Sequence, residues 1–262
     1  MIIWGIILLL LLGGLFLFLF MVREAFLNKV VEHEITFPDF PDSFGKVTIF
    51  FISDIHRRVI SDRIIQNVKG KADFVIIGGD LTEKGVSFVQ VKENLLKLKQ
   101  VGPAYFVWGN NDYEVDFRKL DAILLDMGIK VLDNTAVTFE SNQGDKLSLL
   151  GVDDCSQERD RLDFALMDAE EGSFKILASH IPTITDNILP EHNIRLVLSG
   201  HTHGGQIHIF GYSPYPRGRI KKLKNTILLI SNGYGTTTVP LRLGAPAETH
   251  LITLKRGLEK IG

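Results

Sequence analysis

The sequence predicts an α/β domain carried behind one membrane-spanning helix. Three observations lead there. Residues 1–22 contain no charged side chain. Beyond residue 45, apolar β-rich runs alternate with helical patterns. About 220 residues then pass without a repeat, a low-complexity tract or an obvious linker, which fits a single domain.

The first element, residues 1–22, reads as an uncleaved anchor. At ~1.5 Å per residue it is about 33 Å long as a helix, enough for a bilayer core of ~30 Å. It lacks the basic start and the small-residue cleavage site of a secretory signal. No Lys or Arg precedes it, while Arg23 and Lys29 follow, so the positive-inside rule favours a cytoplasmic domain over an external one. Residues 23–45, with the two prolines of "FPDFPDSFG", read as an irregular stalk. The domain is then expected over 46–262.

Within it, "KVTIFFIS" (46–53), "DFVIIGG" (73–79) and "AYFVWGN" (104–110) read as strands buried on both faces. "SFVQVKENLLKLKQ" (87–100) reads as a helix with Ser87 as N-cap and a Val91, Leu95, Leu98 stripe. "DFRKLDAILLDMG" (116–128) reads as a second, closed by Gly128. Further strands are expected at 136–139, 147–152, 175–179, 196–199, 206–209, 226–231 and 250–254.

Composition excludes some chemistries. A formal net charge of -2 gives no reason to expect a nucleic-acid partner. The single cysteine, Cys155, rules out an internal disulfide framework and a thiolate metal cluster.

The positive signal lies at the strand ends. "SDIH" supplies Asp54 and His56, "GGD" Asp80, "GNND" Asn110, "LASHIP" His180 and "SGHTHGGQ" His201 and His203. In open α/β sheets, ligands sit beyond the carboxyl ends of strands. In an extended segment, residues i and i+2 share a face, so each D-x-H and H-x-H pair can point together. Each motif alone is a common turn or surface pattern; their joint recurrence after apolar strands is not. Carboxylate, imidazole and amide oxygen without thiolate suit manganese, iron or zinc.

The order D-x-H, GD, GN, H, GHTH resembles the calcineurin-like metallophosphoesterases. "GHTHGGQ" and the tail "SNGYGTTTVPLRLGAPAETHLITL" look closest to the bacterial membrane-associated branch, which includes phosphodiesterases similar to the UDP-diacylglucosamine hydrolases. The resemblance implies two mixed β-sheets packed face to face with flanking helices, a four-layer sandwich. It implies two divalent metal ions, one held by Asp54, His56 and His203, the other by Asn110, His180 and His201, with Asp80 bridging. It implies phosphoester hydrolysis, of a phosphodiester or pyrophosphate type, by a hydroxide shared between the metals. An anchor beside the domain favours a lipid-linked or membrane-surface substrate.

One position departs from the pattern. Asn111 stands where most of that family carries a histidine that contacts the scissile phosphate and is thought to protonate the leaving oxygen. Four readings stay open. Asn111 suits a tight turn of positive φ; the leaving group needs no acid; Asp112 or His208 supplies the proton; or hydrolysis is vestigial and the chain is a metal-binding scaffold. His33, His192 and His250 read as surface or packing residues. Asp153 and Asp154 read as supports of the site or as turn residues. The basic run "PRGRIKKLK" (216–224) reads as a solvated face, or as a contact for an anionic substrate or phospholipid head groups.

Overall fold

The computed structural model describes residues 2–261. Helix α1 (Ile2–Ala25) is one 24-residue helix, long and apolar enough to cross a membrane, and none of its most apolar window is buried by protein. Strand β1 (Lys29–Phe37) follows, then β2 (Lys46–Ile52), α2 (Asp62–Val68), β3 (Phe74–Ile77), α3 (Phe88–Lys99), β4 (Ala104–Phe106), α4 (Phe117–Asp126), β5 (Lys130–Val131), β6 (Thr135–Glu140) and β7 (Lys146–Gly151). The rest is α5 (Leu162–Asp168), β8 (Phe174–Ala178), β9 (Ile194–Ser199), β10 (Arg219–Lys222), β11 (Ile227–Ile230), β12 (Glu248–Arg256) and β13 (Lys260–Ile261).

The strands form two mixed sheets. One is seven-stranded in the order β13-β1-β12-β2-β3-β4-β5; the other is six-stranded, β10-β11-β9-β8-β7-β6. Strands β2 to β5 run parallel, as do β7, β8, β9 and β11, so their carboxyl ends lie together.

Period-2 alternation explains the layering. Phe51, Ile76, Leu149, Ile176 and Leu198 fill the space between the sheets. Phe50 and Ile52, pointing the other way, pack with Ile64, Leu95 and Leu124 of α2, α3 and α4. Leu150, Leu177 and Val197 pack on Leu162 of α5. Each such side chain contributes roughly 1.5–3 kcal/mol by leaving water. The helix caps are as expected. Ser87 Oγ accepts from Gln90 N at 3.2 Å, and Gly128 takes φ +68° just after α4.

Two expectations are corrected. Residues 23–45 are not an irregular stalk. α1 continues to Ala25, and 29–37 form β1, parallel to β12 over its whole length. The two prolines, Pro38 and Pro41, lie after that strand, where its pairing has ended. Residues 206–209 are not a strand either. Ile207 makes only isolated bridges, to Leu243 and Gly244. Both follow from the chain reaching its neighbours late in the sequence, which local pattern does not report.

Candidate metal centre

The expected residues converge where the strands of both sheets end. Asp54 and His56 follow β2, Asp80 follows β3, Asn110 follows β4, His180 follows β8, and His201 and His203 follow β9. Two tight groups result: Asp54, His56 and His203, and Asp54, Asp80 and His180. Asp80 Oδ2 lies 3.6 Å from His56 Nε2 and 3.3 Å from His180 Nε2, so this carboxylate faces both sides of the cluster. His203 Nε2 is 3.5 Å from Asp54 Oδ1 and 3.0 Å from His56 Nε2. His201 Nδ1 completes the other side, 2.9 Å from Asn110 Oδ1 and 3.2 Å from His180 Nε2.

The pairs do not converge by strand pleat. Asp54, His56, Asp80, His201 and His203 all take positive φ, between 49° and 68°. For residues with a Cβ this conformation costs on the order of 1 kcal/mol or more each. The strands have ended by then, and tight left-handed turns aim the side chains. The glycines of the motifs serve close approach. A Cβ on Gly109 would meet Asp80 Oδ1 at 2.3 Å, and one on Gly200 would meet Asp54 Oδ2 at 2.3 Å.

Around the ligands the polar groups are arranged. His180 Nδ1 lies 2.8 Å from the Gly78 carbonyl, which leaves Nε2 turned to Asp80. Burial would lower His180, but Asp80 beside it pushes the imidazole up to about 10. Burial would raise Asp80, but His180, His56 and the Asn111 amide hold it low. Burial would depress His56, but Glu83, Asp80 and Asp54 raise it. His56 Nδ1 is 2.9 Å from Glu83 Oε2 but misaligned for a hydrogen bond, and is without one among the described residues. The Asp/His donor set, packed with like-signed oxygens turned inward, fits divalent cations.

The candidates for proton donor are placed elsewhere. Asp112 is fully buried, accepting from Thr82 N and Gly109 N, both at 3.0 Å. Burial, then Asp80, pushes its carboxyl up to about 7. His208 Nε2 is committed to the Gly204 carbonyl at 2.7 Å. Asn111 is half-buried at the cluster. Its backbone N–H donates to Asp80 Oδ1 at 2.8 Å, and its amide bridges Asn110 and Glu114 at 3.2 and 3.0 Å. Its φ is not positive, so turn geometry does not call for asparagine.

One residue, Arg242, escaped the sequence reading. Arg242 is wholly buried and donates to the carbonyls of His203, Asn232, Gly235 and Ala245, with Nη2 3.2 Å from His203 Nδ1. A lone arginine in the apolar "VPLRLGAP" was the available signal. Asp153 accepts from Tyr113 Oη at 2.5 Å and Arg159 Nε at 2.6 Å, tying the Asn110–Glu114 turn to the end of β7. Asp154 caps the next turn through Ser156 N at 3.1 Å.

The last turns of α1 bond the segment that carries Arg242, behind His203. Arg242 N donates to Met21 O, Ala247 N to Glu24 O, and Gly244 N to Glu24 Oε2. Arg58 donates to the carbonyls of Ala25, Phe26 and Leu27 and lies 3.7 Å over the Tyr234 ring. Between helix end and centre opens a cavity of about 530 Å³, lined by Phe26, Arg57, Val59, Glu83, Tyr234 and Val239 among others.

The basic run is not one surface. Arg219 pairs with Ile230 at the site end of β11, and Lys222 with Ile227 at the far end, where it meets Glu259.

Comparison with known proteins gives a consistent picture. Residues 47–205 match the family described as calcineurin-like phosphoesterase. The uncharacterized protein YpbG of Bacillus subtilis is 47% identical over 210 residues, covering 79% of this chain and 81% of that one. A transmembrane protein with metallophosphoesterase domain from Danio rerio is 32% identical over 260 residues, 90% of this chain, which spans 59% of that protein's length. A solved metallophosphoesterase from Sphaerobacter thermophilus aligns over 74% of this chain and 80% of that one, at 14% identity and a TM-score of 0.38.

Proposed function

The chain belongs to the calcineurin-like phosphoesterase family, and on that premise we propose that it is a membrane-anchored, binuclear metal-dependent phosphoesterase acting on phosphodiester or pyrophosphate-type linkages. The observation that carries this is the convergence of Asp54, His56, Asp80, Asn110, His180, His201 and His203, five of them in strained backbone, on one point shared by two sheets. Asp54, His56 and His203 would hold one ion, Asn110, His180 and His201 the other, and Asp80, facing both sides, would be shared. What two such cations supply is water activation near neutral pH and neutralisation of phosphoryl oxygens. Manganese, iron and zinc all suit the donor set.

The chain's own contribution is placement. The Gly78 carbonyl holds the His180 ring, Arg242 the loop carbonyls behind His203, and the Asn111 N–H orients Asp80. The cavity between Phe26 and Glu83 lies between helix end and centre and is two-sided in character, with Val59 and Val239 beside Arg57. That supports a lipid-linked or membrane-surface phosphoester. The apolar helix supports a single-pass cell-membrane location. The charges after it support a cytoplasmic domain, which digestion by external protease in intact cells would overturn.

Asn111 favours a second reading, a metal-binding scaffold without turnover, since an amide cannot deliver a proton at neutral pH. One experiment separates them: metal analysis of the full chain in detergent, with a screen of phosphodiester and pyrophosphate substrates before and after chelation. Two ions per chain, lost together with turnover, is the expected result. Two ions with no turnover on any substrate would leave the scaffold. In Asp80→Ala, stoichiometric metal would overturn the ligand assignment, because one carboxylate is meant to serve both ions.

A further inference from the structure

The segment after the His201–His203 pair has a use that catalysis does not absorb. It forms a tight hairpin, closed by paired hydrogen bonds between Ile209 and Tyr212 at 3.0 and 2.9 Å. Its tip is apolar and turned outward: Ile209 is 62% exposed, Phe210 98% and Tyr212 83%. Three large apolar side chains on one exposed tip are costly in water, where a loop is ordinarily polar.

The hairpin's base says what covers it. His208 N donates to Leu243 O and Leu243 N to Gln206 O, both at 2.9 Å. The next residues along that segment are bonded to the helix: Arg242 N to Met21 O, and Gly244 N to Glu24 Oε2. Met21 belongs to the apolar stretch of α1, and the first charges, Arg23 and Glu24, mark where that stretch leaves the bilayer. The hairpin base is therefore held at the level of the membrane surface, and its tip is two to four residues away, at ~3.3 Å each. The neighbouring side chains are those of an interface. Tyr215 is half exposed, the Arg217 guanidinium lies beside Gly244, and Arg219 is exposed at the site end of β10. Tyrosine and arginine at this depth match aromatic belts and anionic head groups.

We infer that the hairpin around Phe210 is a second membrane contact, inserting Ile209, Phe210 and Tyr212 into the interfacial layer of the bilayer that α1 crosses, with Arg217 and Arg219 on its anionic head groups. This rests on the reading of α1 as the anchor. Lys222 and Lys224, at the other end of β10, take no part. With two attachments, the metal centre and the cavity beside Phe26 face the lipid surface in a fixed orientation.

Depth measurement by spin labelling tests this on the full chain. The protein carries Cys155→Ser, and single cysteines are placed in turn at Phe210, at Leu10 within α1, and at Leu258, which is 91% exposed and lies at the far end of β12. All three are surface positions, so folding is not at stake. The labelled proteins are reconstituted in phosphatidylcholine vesicles containing phosphatidylglycerol. Collisions with oxygen and with a water-soluble nickel chelate are then compared. The expected result is that position 210 loses nickel accessibility and gains oxygen, as position 10 does, while position 258 stays aqueous. Arg217→Gln with Arg219→Gln should make position 210 shallower in anionic vesicles and leave it unchanged in phosphatidylcholine alone. Position 10 in lipid with position 210 as aqueous as 258 would overturn the second contact and leave the anchor standing, with the hairpin then free for a protein partner. Positions 10 and 210 both aqueous would overturn the anchor as well.

Discussion

Under the proposed function, Asn111 is the residue on which activity would turn. Its amide is engaged on both sides, by Asn110 and by Glu114, and neither Asp112 nor His208 is free to replace a missing acid. Losing a general acid typically costs ~10²–10⁴ in rate. Asn111→His should therefore speed hydrolysis of a phosphodiester with a poor leaving group by about tenfold or more, toward the lower end of that range. A p-nitrophenyl ester, whose leaving group needs no proton, should change little. Equal, fast turnover of both substrates by the unaltered protein would show that an acid already works there. At this scale the sequence was most legible: each ligand type follows an apolar strand, and glycines mark the close approaches. What it could not show is the sign of φ at Asp54, His56, Asp80, His201 and His203, because a strained angle is imposed by contacts from distant segments. Arg242 left only the signal of a lone charge in an apolar run, because its partners are carbonyls, which no residue pattern encodes.

At the level of elements, β1 and β12 carry a histidine pair outside the centre, His250 buried and His33 half-buried. His33 Nε2 lies 3.0 Å from His250 Nδ1, the rings stack, and His250 Nε2 is 2.9 Å from Ser231 Oγ. Burial, then the nearby His33, holds His250 down at about 3, and burial with Lys29 lowers His33. In the unfolded chain both titrate near 6.5. The unfolded state thus binds more protons below that pH, and stability must fall as pH drops from about 6.5 toward 3. At ~1.4 kcal/mol per pH unit per proton, His250 alone should cost about 2 kcal/mol between pH 7.5 and 5. Thermal melts of the full chain at the two pH values check this, and His250→Phe should flatten the difference. A difference unchanged by the substitution would place the sensitivity elsewhere. The strand that holds His33 was misread as stalk. Its alternation of Val31, His33, Ile35 and Phe37 was legible, but the prolines just beyond it drew the reading the other way. Residues 206–209, which lead into the hairpin, were taken for a strand because apolar residues two apart look alike in a pleat and at an exposed tip.

For the molecule as a whole, the end of α1 is part of the fold. Backbone bonds from Arg242 and Ala247, the Gly244–Glu24 bond and the Arg58 fork all end on residues 21–27. A net ~0.5–1.5 kcal/mol for each of these six hydrogen bonds gives about 3–9 kcal/mol for the joint. A truncation beginning at Asn28 should therefore melt at least about 6 °C below one beginning at Met21, at ~2–4 °C per kcal/mol for a domain of this size. Equal melting temperatures would mean that the joint contributes nothing. The joint also turns the helix into a lever. Its apolar part, residues 2–22, spans about 32 Å at ~1.5 Å per residue, slightly more than a ~30 Å hydrocarbon core, and in a bilayer such an excess would be relieved by tilting. If α1 is the proposed anchor, its bonded end would turn helix tilt into rotation of the metal centre against the lipid plane. Bilayer thickness then enters as a control variable. In vesicles of increasing acyl-chain length, turnover of a membrane-embedded phosphoester should pass through an optimum, while turnover of a soluble one stays level.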